Sequence, residues 1–118
     1  MAKILVVDDS KFMRLTLKNM LEKAGHQVIG EAENDTEALS QFKLLKPDLV
    51  TMDIIMPIDS GIIAVKRIIE LDPSAKIIMV SAMGQEKIVE DAKQAGAKGF
   101  VVKPVKKEEL LDAIKRML

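Results

Sequence analysis

Four short apolar runs in this chain end in residues that can do chemistry. Ile4–Val7 runs into Asp8 and Asp9, Leu49–Met52 into Asp53, Ile77–Val80 into Ser81, and Phe100–Val102 into Lys103. If these runs are parallel strands of one sheet, their polar ends leave it at the same edge. Three carboxylates, a hydroxyl and an ammonium then converge. Carboxylates within a few ångströms of one another hold their protons more tightly unless a cation offsets the repulsion. Hard oxygen donors beside a phosphoryl group suit magnesium. Lys103 is a point charge suited to a phosphate oxygen, and the Ser81 hydroxyl can donate to another. Asp53 is the best-placed nucleophile, because its run falls in the middle of the strand order argued below. Attack of a carboxylate on phosphorus gives an acyl phosphate, with the metal and Lys103 stabilising charge on the transferring oxygens.

The elements that must position these groups follow from hydrophobic period. Phe12, Leu15, Met20, Leu21 and Ala24 lie near one helical face, and Gly25 fits the left-handed position that ends the helix. Val28–Ala32 reads as a second strand. Ala38, Leu39, Phe42 and Leu45 mark a helix closed off by Pro47, and Leu49–Met52 is bounded by Pro47 and Pro57. Short uninterrupted apolar runs suit strands buried on both faces. A third helix carries Ile62, Val65, Ile69 and Leu71 before Pro73, a fourth carries Ile88, Val89, Ala92 and Ala95 before Gly96, and the last spans Lys106–Leu118 with Leu110, Leu111, Ile114 and Met117 inward. Five strands alternating with five helices predict a doubly wound α/β fold, a flavodoxin-like parallel sheet with successive helices above and below it. Val28–Ala32, which ends in Glu33 and Asn34, lacks a tightly placed polar end; it is a candidate edge strand, and the order 2-1-3-4-5 would place it there. Ligands in such sheets sit beyond the carboxyl ends of the strands, where the order reverses.

Composition narrows the function classes. A chain of 118 residues predicts one domain over residues 1–118. Lys plus Arg and Asp plus Glu each total 18, which leaves no global basic field for nucleic acid or an anionic membrane. Cysteine is absent, so disulfides and thiol catalysis are excluded, in keeping with a cytoplasmic location. The apolar stretches are too often interrupted by charge for a membrane helix, and no signal peptide is evident. The eight methionines read as core filler and His26 as a surface residue at a strand start.

The segments VVDDSKFMR, DLVTMDIIMP followed by Gly61, MVSAMG and FVVKP resemble the receiver domain of two-component response regulators, across essentially the whole chain. The resemblance implies that Asp53 is the phosphoacceptor. It also implies that Asp9, Asp53 and the backbone carbonyl of Ile55 ligate magnesium, for which manganese can substitute, while Asp8 assists through water. Lys103 would pair with Asp53 or its phosphoryl group, Ser81 would follow that group on activation, and Phe100 would be the aromatic that turns inward when Ser81 moves. Gly61 and a cis Lys103–Pro104 bond would be structural features. The family's partners are a sensor histidine kinase and an output protein, here expected on the surface of the fourth helix, fifth strand and fifth helix. The chain resembles the stand-alone chemotaxis regulators of the CheY type, for which the output would be a flagellar motor switch protein, and a monomer is expected.

Two features depart from the family pattern. Ile55 and Met83, two residues after Asp53 and Ser81, are apolar where several members carry polar groups near the path of the attacking water, which predicts slow self-dephosphorylation. Asp59-Ser60 alters loop charge without touching the nucleophile. Other assignments carry less. Asp9 and Ser10 could simply cap a helix. A receiver taken from a multidomain transcriptional regulator would look nearly the same. A phosphatase of the haloacid dehalogenase type needs two acids separated by one residue, whereas Asp8 and Asp9 are adjacent. A flavin carrier needs a glycine-rich loop and stacking aromatics, and Trp and Tyr are absent. The expectation is a phosphorylation switch that catalyses only its own phosphorylation and dephosphorylation.

Overall fold

The computed structural model describes residues 2–56 and 60–118. Ten elements alternate along the chain: β1 (Lys3–Val7), α1 (Lys11–Lys23), β2 (Gln27–Ala32), α2 (Asp35–Leu45), β3 (Leu49–Met52), α3 (Gly61–Leu71), β4 (Ile77–Ser81), α4 (Glu86–Ala95), β5 (Gly99–Val102) and α5 (Lys107–Met117). The strands pair in parallel as β2-β1-β3-β4-β5, which is the predicted order. Pro57 and Asp59 lie outside the described residues.

Pleating sends alternate side chains to opposite faces. Leu5, Val7, Val50, Met52, Ile77 and Met79 meet Ala38, Phe42, Val65, Ile68 and Ala92 from α2, α3 and α4. Ile4, Val6, Leu49, Ile78, Val80 and Val101 meet Leu17, Leu21, Leu110 and Ile114 from α1 and α5. The helices therefore do not alternate one by one as the sequence suggests. Crossovers α2, α3 and α4 all advance in the same direction across the sheet, and a fixed right hand puts them on one face. Only α1, whose crossover runs the other way, and the terminal α5 cover the opposite face.

The phase of α1 also differs from the sequence expectation. Phe12 is 77% exposed and Leu15 55% exposed, while Leu17 and Leu21 are buried with Met13 and Met20 packed beside them. Apolar residues surround this helix on more than one side, so periodicity alone does not select the inner stripe. Leu71, at the last turn of α3, is likewise exposed, and Ile68 fills the core in its place. Every described methionine lies in or against one of the two clusters. His26 is half-buried, and its Nδ1 accepts from the Ala2 N–H at 3.3 Å, so it is not a free surface residue.

Caps fix where the helices begin. Ser10 Oγ accepts from the Met13 N–H at 3.1 Å and Asn34 Oδ1 from the Glu37 N–H at 2.8 Å, each satisfying an N–H that has no partner within its helix. Gly25 takes φ 93° just beyond α1, and Lys46 holds the left-handed position after α2 at φ 49°. Among the described residues no helix is long and apolar enough to cross a membrane.

Candidate functional site

The strand order reverses between β1 and β3, and the acidic residues stand there. Val7 pairs with Met52, and the Asp53 N–H donates to the Val7 carbonyl at 3.0 Å, which brings Asp8 and Asp53 side by side. Pleat parity decides which side chains meet. Asp8 continues the phase of Ile4 and Val6, Asp53 that of Leu49, and Lys103 that of Val101, so all three emerge on the α1 and α5 side. Ser81 continues the phase of Ile77 and Met79, on the side of α2 to α4.

The groups converge accordingly. One carboxylate oxygen from each of Asp8, Asp9 and Asp53 lies within 4.8 Å of the others. Asp8 and Asp53 are buried, at 1% and 5% exposure, whereas Asp9 is exposed. Lys103 Nζ sits 2.9 Å from Asp8 Oδ2 and 3.4 Å from Asp53 Oδ2. Lys103 thus pairs with Asp53, as the resemblance implied, and stands nearer still to Asp8. The remaining oxygens are also engaged, since Asp8 Oδ1 accepts from the Ser10 N–H at 2.9 Å and Asp53 Oδ1 from the Ile54 N–H at 2.8 Å. Ser10 caps α1, whereas Asp9 does not.

Ser81 is fully buried and its Oγ accepts from the Met83 N–H at 3.1 Å, leaving the hydroxyl hydrogen for another acceptor. Met83, Ile88 and Phe100 are half-buried, each against the core cluster that holds Met79, Ala92 and Ala95. Ile55, two residues after Asp53, is 57% exposed. The Lys103–Pro104 peptide is cis. Gly61 N–H donates to the Ile54 carbonyl at 2.7 Å, and a Cβ built on Gly61 would lie 1.8 Å from the Asp53 carbonyl oxygen. Only glycine lets α3 start this close to the nucleophile's backbone. Sequence reasoning gave no role to Arg14, whose Nη1 donates to the Asp8 carbonyl at 2.7 Å. Its place four residues after the capping Ser10 was the available signal.

Burial raises the Asp53 carboxyl above its ordinary value; the Lys103 charge pulls it back, the Asp8 charge raises it again, and the Ile54 N–H lowers it. Burial depresses the Lys103 ammonium, but the hydrogen bond to Asp8 and the charges of Asp53 and Asp8 outweigh it, so Lys103 ends above its ordinary value. A carboxyl whose folded-state pKa is raised binds its proton more readily folded than unfolded. Its contribution to stability therefore falls as pH rises from the unfolded value of about 3.9 through the raised folded one. In metal-free urea titrations across that window, Asp53→Asn should become the more stable protein as pH rises. A stability difference that shrinks or reverses would contradict the raised carboxyl.

Three clustered carboxylates with one raised by burial form a donor set that fits a hard divalent cation. The family model for the response regulator receiver domain matches residues 4–115. The chemotaxis protein CheY of Thermotoga maritima is 50% identical over 115 residues, covering 98% of this chain and 96% of that protein. The chemotaxis protein CheY of Bacillus subtilis is 52% identical over 116 residues, 98% and 97% of the two chains. Among solved structures, a chain of the CheX-CheY-BeF3-Mg complex from Borrelia burgdorferi superposes with a TM-score of 0.93 at 36% identity, covering 97% of this chain and 87% of that one.

Proposed function

Because the chain belongs to the response regulator receiver family, with close relatives among CheY chemotaxis regulators, we propose that it is a cytoplasmic phosphorylation switch with Asp53 as phosphoacceptor. The observation that carries this reading is the buried Asp53 carboxylate beside Asp8 and within 3.4 Å of the Lys103 ammonium. The donor is the phosphohistidine of a sensor kinase or a small acyl phosphate such as acetyl phosphate. An Asp53 oxygen attacks phosphorus, the bond from phosphorus to the donor breaks, and the histidine or acetate leaves with the bonding electron pair. Asp9, Asp53 and the Ile55 carbonyl, with Asp8 acting through water, would hold magnesium, which when bound would supply positive charge to the transferring oxygens.

The chain's own groups do the remaining work. Lys103, already bridging two carboxylates, is within reach of a phosphoryl oxygen on Asp53. The Ser81 hydroxyl donates to another, and its movement would be felt by Phe100 and Ile88 through the packing they share with Met83. The signal would leave through α4, β5 and α5 to an output protein such as a flagellar motor switch protein. Incubation with acetyl phosphate tests the reading. It should give a hydroxylamine-labile phosphoryl label that requires magnesium or manganese; a label that forms equally in EDTA would contradict it.

The lifetime of the label carries a separate expectation. Neither Ile55 nor Met83 can orient a water by hydrogen bonding, so the phosphoryl group should persist well beyond seconds. Met83→Glu should shorten its lifetime by about 10- to 100-fold, at or below the low end of what a positioned base contributes. Decay within seconds that Met83→Glu leaves unchanged would contradict the role of these two side chains.

A further inference from the structure

We infer that Arg14 is a positioning residue for the metal pair, acting through the backbone of the turn that carries Asp8 and Asp9. Arg14 lies one helical turn into α1, where its N–H donates to the carbonyl of the capping Ser10 at 3.0 Å. Its side chain folds back under the site and is only 13% exposed. Nη1 donates to the Asp8 carbonyl at 2.7 Å, and Nε donates to Glu31 Oε1 on β2 at 2.8 Å. One guanidinium thus joins α1, the end of β1 and the edge strand.

The consequence is seen at Asp8, where every polar atom has a partner. Its N–H donates to the Ala32 carbonyl at 3.0 Å and its carbonyl accepts from Arg14. Oδ1 accepts from the Ser10 N–H, and Oδ2 meets Lys103. The neighbouring Asp9 is exposed, and its carboxylate takes no partner among the described residues. The turn is fixed through one aspartate so that the next presents free oxygens. Stability alone is a poor account of this arrangement. Removing a guanidinium from water is costly, and a carboxylate that is itself 41% exposed returns little. Holding a ligand's backbone in place and setting a positive charge beside an acidic cluster does account for it.

The inference rests on the reading that Asp9 and Asp53 hold magnesium, and calorimetric titration of magnesium into the full chain separates the two. Arg14→Met should weaken magnesium binding by about 10-fold, the lower end for groups that orient a metal ligand without touching the metal. Arg14→Lys can reach the Asp8 carbonyl but not Glu31 as well, and should recover part of that loss. Glu31→Gln, at a half-exposed position, should weaken binding by a smaller factor while leaving the melting temperature in EDTA nearly unchanged. Magnesium affinity equal to the parent's in both Arg14→Met and Glu31→Gln would overturn the inference and leave the site intact. No magnesium binding by the parent, or binding unaffected by Asp9→Asn, would overturn the reading of the site itself.

Discussion

Asp53→Asn should abolish phosphoryl incorporation from acetyl phosphate while leaving the protein folded. The amide has neither the negative charge nor the nucleophilic oxygen of the carboxylate, so no acyl phosphate can form. Loss of a nucleophile costs at least about 1,000-fold in comparable systems. The substitution is nearly isosteric, and the Ile54 N–H that now donates to Asp53 Oδ1 at 2.8 Å can donate to the amide oxygen instead. The variant should also respond less to magnesium. A ligand that binds only the folded state stabilises it by about 2.7 kcal/mol at 100 times its Kd. Removing one of three clustered carboxylates should erase most of that gain. Radiolabel incorporation and melting temperature with and without magnesium check both halves. An undiminished label on Asp53→Asn would move the nucleophile elsewhere.

Gly61→Ala should have the largest effect on stability. The added Cβ would stand 1.8 Å from the Asp53 carbonyl oxygen and 2.9 Å from the Ile54 Cα, both parts of the main chain. No rotamer change can relieve a clash with backbone, so either α3 shifts or the β3 end does. Overpacking ordinarily costs about 1–3 kcal/mol, and a backbone collision should reach about 3–5 kcal/mol, the range that marks a specific structural fault. Asp53 would be displaced with its own carbonyl, so magnesium affinity should fall in parallel. Urea unfolding of the variant gives the first quantity and calorimetry the second. A loss within about 1 kcal/mol, inside the ordinary range for single substitutions, would mean that the β3–α3 connection yields easily.

The strands and the meeting of Asp8, Asp9, Asp53 and Lys103 at one sheet edge were legible because hydrophobic period is local. Uninterrupted apolar runs ending in Asp8, Asp53, Ser81 and Lys103 identify the strands and their carboxyl edge, and Val28–Ala32, which lacks such an end, marks the candidate edge strand. Interactions that depend on competition in space were not legible. Lys103 and Asp8 are 95 residues apart, and the preference of the ammonium for Asp8 over Asp53 depends on distances that no pattern encodes. The inner stripe of α1 is not legible in the period, because Phe12, Leu15, Leu17 and Leu21 are all apolar while only Leu17 and Leu21 of them are buried. The helix layering was misjudged for a topological reason, since one reversal of direction groups three helices on one face. The tie from Arg14 to Glu31 joins a helix to an edge strand and leaves no mark in either element's period.

The chemical identity of residue 53 after phosphorylation tests the account most directly. An acyl phosphate is reduced by borohydride to an alcohol, which would convert a phosphorylated Asp53 into homoserine. Mass spectrometry of the protein treated with acetyl phosphate and magnesium, then borohydride, should find homoserine at position 53 and aspartate at positions 8 and 9. Homoserine at position 8 or 9, a phosphoryl group on His26, or no modification of Asp53 would contradict the account.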